Sequence, residues 1–440
     1  MPPASQAVGG QPDQGENQRS ATARPEFASW YTLGAVTLLY LLAQVDRKVI
    51  AIVAEPIKLE MNLTDGQIGA LTGLMYGIPN ALMLLPMGFL LDRYNRRNII
   101  SGMLALWSAA CAATGFASTY LHLMVSRAAI GVAESGAASG GLSMIADLFP
   151  SRWRPVATGI FQSATPVGTI LCFTVVAWIA AQFGWRAAFI ASGVPGIILA
   201  LVIFTSVREP KRGAVDRPAI AETDEAEEKP TLMQALRFAA TERAALHYIL
   251  GPGLVSSAST AIGLWAPSFM IRYYGLTVAE AGYLLAISAG AITALALAAS
   301  GPVVTRFARD DEARLALVPI FTVLVSVVFA AMVILAPSVP MLIAGLCLFA
   351  VFNYVYLSIG YSLLLGITPI GMRGMVLAVE LIAANLLGYA GGPFIVGLLS
   401  DAIGGDEPLR WALLASLPLY LWGAFHFYLG RRAIIDRSSG

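Results

Sequence analysis

Charged residues and residues that form metal or disulfide sites are scarce in this sequence. Only 12% of the 440 residues are charged, against roughly 25% in soluble domains, while 57% are hydrophobic and the mean hydropathy is +0.70. This composition excludes a water-soluble fold. The three cysteines all lie in apolar stretches, and their odd number argues against a disulfide framework. The three histidines lie in separate stretches with no H-x-x-x-H spacing and no cysteine partner, so the sequence predicts no metal site.

Twelve apolar stretches are each long enough to cross a bilayer as a helix. A spanning helix needs roughly 20 mostly apolar residues, because every backbone polar group must be satisfied within the segment. The stretches lie near residues 30–54, 66–91, 98–117, 121–147, 156–181, 186–206, 244–271, 278–305, 314–335, 340–366, 374–400 and 409–430. The sequence therefore predicts an all-α membrane protein with twelve transmembrane helices.

An acidic run between Pro218 and Pro230 interrupts the hydrophobic pattern near the middle of the chain. Such a polar stretch indicates a linker between two bundles of six helices. The predicted organisation is a disordered cytosolic tail (1–28), a first six-helix bundle (29–206), a cytosolic linker (207–242), a second six-helix bundle (243–432) and a cytosolic tail (433–440).

An internal repeat supports this division. Five residues of the first bundle recur 213 positions later in the second: Thr64, Gly69, Gly88, Arg93 and Arg96 correspond to Thr277, Gly282, Gly301, Arg306 and Arg309. Bundles repeated in the same topology place a substrate site at their interface, near the bilayer midplane.

The basic residues indicate the orientation in the membrane. If the N-terminus is cytosolic, 21 of the 28 lysines and arginines fall on the cytosolic side. The positive-inside rule then predicts a multi-pass protein of the cell (inner) membrane with both termini in the cytosol.

Two sequence motifs resemble those of known transporters. The string GFLLDRYNRR, from Gly88 to Arg97, resembles the G-x-L-x-D-R-x-x-R-R signature of the major facilitator superfamily. The strings LLAQVDRKVI and SRAAIGVAESGAASGGLSMIADLFPSRWR resemble the spinster branch of that superfamily. The resemblance implies alternating access of two bundles, and the branch implies lysolipids or sphingosine phosphates as substrates.

Arg127 and Glu134 lie seven residues apart in the fourth stretch, so they share one face of a helix. A charged side chain at mid-bilayer costs about 2.5 to 3.5 kcal/mol and persists beside a partner, water or substrate. We expect Arg127 to bind an anionic headgroup, because a guanidinium stays charged and matches phosphate oxygens. The alternative is a purely structural pair that locks the fourth helix to the first through Asp46.

Asp46 and Glu134 are the candidates for proton coupling. Burial favours the neutral carboxyl group and a neighbouring arginine favours the charged one, so a small movement can change which form is held. Arg47 points about 100° away from Asp46 on a helix, and Lys48 is expected to snorkel towards water. Further candidates for the cavity lining, each with helix packing as the alternative, are Arg47, Tyr76, Asn80, Trp265, Asn353, Tyr354 and Glu380.

The superfamily resemblance also implies a cytosolic gate. Gly88, Asp92, Arg93 and Arg97 form the signature, which in the family holds the outward-facing state, and Gly374 and Met375 are the expected partners. Asp147 and Arg152 are expected to extend the network. A plain positive-inside cluster is the alternative, and it leaves Asp92 unexplained.

The sequence thus predicts a secondary active transporter, not an enzyme, that moves an amphipathic anion of the lysophospholipid or sphingosine phosphate type. Protons are the expected coupling ion, no cofactor or nucleic acid is expected, and the protein is expected to be a monomer. The absence of a Walker motif argues against direct ATP drive. Drug efflux or transport of a small organic anion by the same superfamily is the alternative. A passive lipid scramblase, a membrane enzyme or a receptor is a weaker one.

Overall fold

The computed structural model describes residues 25–213, 231–308 and 311–439, and every element in these ranges is a helix. Most of the predicted N-terminal tail and residues 214–230 of the predicted linker lie outside them. Two differences from the predicted organisation are visible. Residues 232–241 of the expected linker form a helix, and the last helix continues through the expected C-terminal tail to Ser439.

The helices are long, and several contain a break or a wide turn. In chain order they are α1 (Phe27–Ile52, continued by Ala54–Met61), α2 (Asp65–Arg93), α3 (Arg96–Thr114), α4 (Tyr120–Glu134, continued by Ala137–Leu148), α5 (from Arg154 to a kink at Gly184), α6 (from that kink to Ser206), α7 (Leu232–Thr241), α8 (Arg243–Tyr274), α9 (Val278–Ala308), α10 (Glu312–Ile334), α11 (Val339–Ile367), α12 (Ile370–Ile403) and α13 (Pro408–Ser416, continued by Pro418–Ser439).

Eight of the described helical stretches are long and apolar enough to cross a membrane. One of them, Arg154–Ser206, contains both α5 and α6, which join at Gly184 in a backbone conformation (φ 83°) that favours glycine. α4 is divided at Ser135 and Gly136 into two shorter helices. The described helices thus make a multi-pass membrane fold.

The two repeat positions Thr64 and Thr277 have the same structural role. Each is the N-cap of a helix, α2 or α9, and each forms a capping box, with Gln67 and Glu280 respectively. Both helices then pass through a π-helical segment, Ala70–Leu74 in α2 and Ala286–Ile292 in α9. The repeat seen in the sequence therefore extends to the local backbone.

The helices define two ends and two halves. We call the end that carries Arg93 and Arg96 the basic end, and the end that carries Asp65 and Arg272 the opposite end. Residues 25–213 are the first half and residues 231–439 the second half. α1 packs against α4, α5 and α6 of its own half and against α8 of the other, so it lies at the seam between the halves.

Glycines of α2 show that the halves meet closely at the opposite end. A Cβ added at Gly69 would lie 2.5 Å from the carbonyl oxygen of Pro393 on α12, and one at Gly73 would lie 2.8 Å from that of Tyr389. At the basic end, a Cβ added at Gly88 on α2 or at Gly374 on α12 would meet nothing within 4 Å. The same two helices are therefore in backbone contact at the opposite end, whereas Gly88 and Gly374 at the basic end have open space beside them.

Candidate substrate site and gates

A cluster of charged side chains from α1 and α4 lies at the seam between the halves. The Arg47 Nε donates to Glu134 Oε2 over 2.8 Å, and the Tyr76 hydroxyl donates to the same oxygen over 2.7 Å. Glu134 and Asp46 are each 1% exposed, whereas the Arg47 side chain keeps 25% of its surface exposed. Arg47 is thus the part of this ion pair that faces open space.

Arg127 belongs to the same cluster but is fully enclosed. Its Nη1 donates to the backbone oxygen of Asp46 over 3.2 Å and its Nε to that of Leu71 over 3.3 Å. The Tyr76 ring contacts both guanidinium groups of the cluster, with ring-centre distances of 5.3 Å to Arg127 and 5.6 Å to Arg47. Arg127 therefore ties α4 to α1 and α2, and Tyr76 contacts both arginines.

Three polar atoms of this cluster are buried without a hydrogen-bond partner among the described residues. They are Asp46 Oδ2, Arg127 Nη2 and Glu134 Oε1. Asp46 accepts one hydrogen bond, from the Cys111 thiol over 3.2 Å, at its other oxygen. Buried polar groups are normally paired, so the cluster keeps unused capacity for a proton or a ligand.

Lys48 follows Arg47 and has no carboxylate within 4 Å among the described residues. Its Nζ donates to the side-chain oxygen of Gln44 over 3.1 Å and to the backbone oxygen of Gln44 over 3.4 Å. The side chain is partly exposed. The cluster thus holds three cationic and two carboxylate side chains.

Tyr76 and Asn80 lie inside the first half. Both are buried, and the Asn80 amide donates to the backbone oxygen of Gly131 over 3.1 Å. A Cβ added at Gly131 would lie 2.5 Å from the Tyr76 carbonyl oxygen, so α2 and α4 are in backbone contact here. In this structure the two side chains brace α2 against α4.

The candidates of the second half occupy different environments. Trp265 is buried and its indole N–H donates to the Pro393 carbonyl over 2.9 Å, which ties α8 to α12. Asn353 is buried between Ser259 and Tyr420, to both of which it is hydrogen bonded, whereas Tyr354 is 37% exposed. Of these three, only Tyr354 presents substantial open surface.

Glu380 on α12 is 0% exposed, and neither carboxylate oxygen has a hydrogen-bond partner among the described residues. No cation lies within 4 Å of it in the same ranges. Glu380 is therefore enclosed by the packed helices and has no exposed surface in this structure.

The opposite end is closed by a charged clamp between the halves. Arg272 of α8 binds Asp65 with two parallel hydrogen bonds of 2.8 Å and donates to Glu55 over 2.7 Å. Lys58 and Ser400 also bind the Asp65 carboxylate. A bidentate arginine–carboxylate pair is among the stronger polar contacts in proteins, so the clamp favours the closed state of this end.

Asp401 adds a helix cap to the clamp. Its two carboxylate oxygens accept from the backbone N–H groups of Asp65 and Gly66, over 2.9 and 2.7 Å, at the beginning of α2. A carboxylate at a helix N-terminus is stabilised by the helix dipole. The end of α12 thus holds the start of α2.

The basic end carries a buried arginine that the sequence analysis left out of the gate. Arg96 is 2% exposed and pairs with Asp147 over 2.6 Å and with Glu209 over 2.9 Å. The second oxygen of Asp147 accepts from the Gly213 backbone N–H. This network lies wholly in the first half and joins α3, α4 and the segment after α6.

The other predicted gate residues lie on the surface of the basic end. Asp92 and Arg93 are exposed, and Arg93, Arg97 and Arg152 lie over the rings of Phe89, Phe204 and Trp153. Within the described ranges no hydrogen bond joins Asp92 to Gly374 or Met375, and a Cβ added at Gly374 has open space. The contacts expected of the latch are therefore not formed among the described residues, and its role stays a prediction.

Several of these contacts join residues far apart in sequence. Asp65 with Arg272 and Asp401 form one set, and Cys111 with Asp46 another. In the sequence, the only sign of the clamp is the opposite charge of Asp65 and Arg272, which lie at the outer ends of their helices.

Two histidines that are far apart in sequence also meet: the Nδ1 atoms of His247 and His426 lie 2.9 Å apart. No group of three or more potential metal ligands occurs in the described part of the chain.

Comparison with known proteins gives the family. A model of the Major Facilitator Superfamily matches residues 36–331. Protein spinster homolog 1 of Homo sapiens is 27% identical over 90% of this chain and 78% of its own length, and the sphingosine-1-phosphate transporter SPNS2 of Danio rerio is 27% identical over 84% and 76%. An MFS-type efflux pump of Mycolicibacterium smegmatis is 24% identical over 93% and 95%.

A solved structure agrees with the fold. A bacterial homologue of the human lysosomal transporter spinster, in an inward-facing and unoccupied conformation, superimposes with a TM-score of 0.84 at 24% identity, over 94% of this chain and 99% of that one. The spinster resemblance of the sequence motifs is thereby confirmed. The chain therefore belongs to the Major Facilitator Superfamily, as a spinster-like, multi-pass membrane transporter.

Proposed function

We propose that this protein is a proton-coupled secondary active transporter of amphipathic anions, of the lysophospholipid or sphingosine phosphate type. It works as a monomer with twelve transmembrane helices in two six-helix bundles, 29–206 and 243–432. The basic end faces the cytosol of the cell (inner) membrane, because basic residues are retained on that side. The structure then corresponds to an inward-open state.

The observation that carries the proposal is the unused bonding capacity of the cluster on α1 and α4. Asp46 Oδ2, Glu134 Oε1 and Arg127 Nη2 are enclosed at membrane depth without partners in the described part of the chain. Charged groups kept there at a cost of several kcal/mol are by default functional. A proton on a carboxylate and an anion on an arginine satisfy the same cluster in alternative ways.

The coupling follows from charge balance. When Asp46 or Glu134 takes a proton, the arginines lose a counter-charge and attract an anion more strongly. When the carboxylate is ionised again, it competes with the substrate for Arg47 and releases it. Proton and substrate affinities are thus linked reciprocally.

Closure alternates between the two ends of α2 and α12. Here Asp401 caps the start of α2, and the outward-open state would bring Asp92, at the end of α2, to the start of α12 near Gly374 and Met375. The relatives named spinster and sphingosine-1-phosphate transporter favour a lipid substrate. The efflux-pump relative supports drug efflux as the second candidate.

Thermal stabilisation of the purified protein across a panel of lysophospholipids, sphingoid phosphates, small organic anions and cationic drugs separates these candidates. The proposal expects the largest stabilisation from lipids with an anionic headgroup. Stabilisation by cationic drugs alone, with no response to anionic lipids, contradicts it.

A further inference from the structure

The central cluster contains one cation that the proposed coupling scheme does not use. Arg47 is paired with Glu134, and Arg127 is held by two backbone carbonyls beside the Tyr76 ring. The Nζ of Lys48 reaches only the oxygens of Gln44, one helical turn earlier on α1. Neither Lys48 nor Arg127 has a carboxylate within 4 Å in the described ranges, but Arg127 is fully buried, so Lys48 is the partly exposed cation of the cluster without a counter-ion.

Lys48 lies on the face of α1 that packs against α5. Gln44, which holds its ammonium group, contacts α5, where a Cβ added at Gly168 would lie 2.8 Å from the Gln44 Cβ. The same part of α5 packs against α9 of the second half, where a Cβ added at Gly290 would lie 2.6 Å from Ile170. Lys48 is therefore partly exposed next to a contact between the two halves.

The charges of the cluster do not balance. With Asp46 and Glu134 both ionised, the three cations Arg47, Lys48 and Arg127 leave one positive charge in excess. A lysine at membrane depth is costly unless it is compensated, and an ammonium has three donor positions. An anionic group of the substrate would balance this charge.

We infer that Lys48 is the anchor for the anionic group of the substrate in the state open to the basic end. This inference rests on the proposed function and adds the group that is recognised: a phosphate ester or carboxylate headgroup, held by Lys48 beside the exposed edge of Arg47. Lysine acts as a compact point charge with rotatable donors, so it accepts such headgroups in several orientations. Arg127 is fully buried in this state, so its unpartnered Nη2 becomes available to the anion only when the cluster rearranges.

The test measures binding to full-length protein in nanodiscs, with lysophosphatidic acid as the anionic probe and a monoacylglycerol of the same acyl chain as the neutral probe. Lys48→Met is expected to weaken lysophosphatidic acid binding by about 10- to 100-fold, as loss of a charged hydrogen bond does, and to leave monoacylglycerol binding unchanged. Lys48→Arg keeps the charge and is expected to retain most of the affinity. Arg186→Met, which removes a half-exposed cation at the opposite end, is the matched control.

Two outcomes overturn the inference in different ways. If wild type prefers lysophosphatidic acid and Lys48→Met binds it equally well, the anchor lies elsewhere while the proposed function stands. If wild type does not distinguish the two lipids, the proposed function fails and the inference fails with it. Equal melting temperatures of the ligand-free variants show that any loss of affinity is not a loss of folding.

Discussion

At the scale of single residues, Gly131 sets the distance between α2 and α4 beneath the charged cluster. Because glycine has no side chain, the Tyr76 carbonyl oxygen can lie close to it. A Cβ added at Gly131 would be only 2.5 Å from that oxygen. We expect Gly131→Ala to lower the free energy of unfolding by about 1 to 3 kcal/mol, since the helices must move apart. Thermal unfolding in detergent measures this.

Gly102 on α3 provides the control, because a Cβ there meets nothing within 4 Å. Gly102→Ala is expected to be neutral or to stabilise by about 0.5 to 1 kcal/mol, the usual gain of alanine over glycine inside a helix. Equal effects of the two substitutions would show that α2 and α4 do not meet as described.

Glu134 tests the competition between carboxylate and substrate. Glu134→Gln removes the negative charge that Arg47 binds over 2.8 Å, so we expect lysophosphatidic acid to bind at least roughly three-fold more tightly. Tyr76→Phe removes only the hydroxyl donor to Glu134 and keeps the ring, and it is expected to change affinity much less. Binding titrations of lysophosphatidic acid at fixed pH compare the two variants with wild type. Weaker binding by Glu134→Gln would contradict a competition between the Glu134 carboxylate and the lipid for Arg47.

Much of this cluster was accessible from the sequence. Charges are rare in the membrane spans, so Asp46, Arg127 and Glu134 stand out, and their spacing predicts a shared face. The sequence does not give the directions of the side chains. The enclosure of Arg127 by backbone carbonyls depends on the path of α2, and the exposure of Lys48 depends on how the halves meet.

At the scale of helices, the close approach of α2 to α12 indicates which end of the molecule is closed. Gly69→Ala places a methyl group 2.5 Å from the Pro393 carbonyl, so we expect it to shift the population away from the state closed at the opposite end. Gly88→Ala, at the other end of the same helix, has open space here and is the matched control.

Distances between spin labels at Ser118 and Ser338 measure this shift. Both residues are exposed in loops at the opposite end, one in each half. The labels are introduced in a Cys347→Ser background, since Cys347 is the one of the three cysteines with appreciable exposure. We expect a longer distance between the labels in Gly69→Ala than in wild type, and no change in Gly88→Ala. An unchanged distance in Gly69→Ala would contradict the contact of α2 with α12.

The helix cap that Asp401 forms at the start of α2 allows a second test at the scale of helices. Asp401→Asn removes the charge at the N-terminus of α2, an interaction of about 0.3 to 1 kcal/mol, which corresponds to roughly a two- to five-fold change in population. The same label pair is expected to show more of the open distance. Asp406→Asn, an exposed carboxylate at the same end, is expected to leave it unchanged.

The clamp was beyond sequence reasoning because its parts are far apart in the chain. Asp65 and Asp401 are 336 residues apart, and the sequence does not show that α2 and α12 bring them together. By contrast, the repeat of Thr64 and Thr277 predicted equivalent helix starts, because capping depends on residues that are close in sequence.

At the scale of the whole molecule, the hydrophobic pattern predicts the membrane fold and the family motif predicts two related halves. Hydropathy alone recovers fewer spans, eight helical stretches among the described residues. α5 and α6 run together, α4 is broken, and α1 and α3 are not among the eight. The state open to the basic end was not predictable, because the sequence must fit both states equally well. Transport requires that these two states differ by only a few kcal/mol.

The central claim is that a proton on Asp46 and an anion on the neighbouring cations exchange with each other. Uptake of lysophosphatidic acid into proteoliposomes, with and without an imposed pH gradient, tests it most directly. Asp46→Asn is predicted to keep exchange of lipid at equal pH and to lose the response to the gradient. Accumulation by Asp46→Asn under the gradient at the wild-type rate would contradict the account.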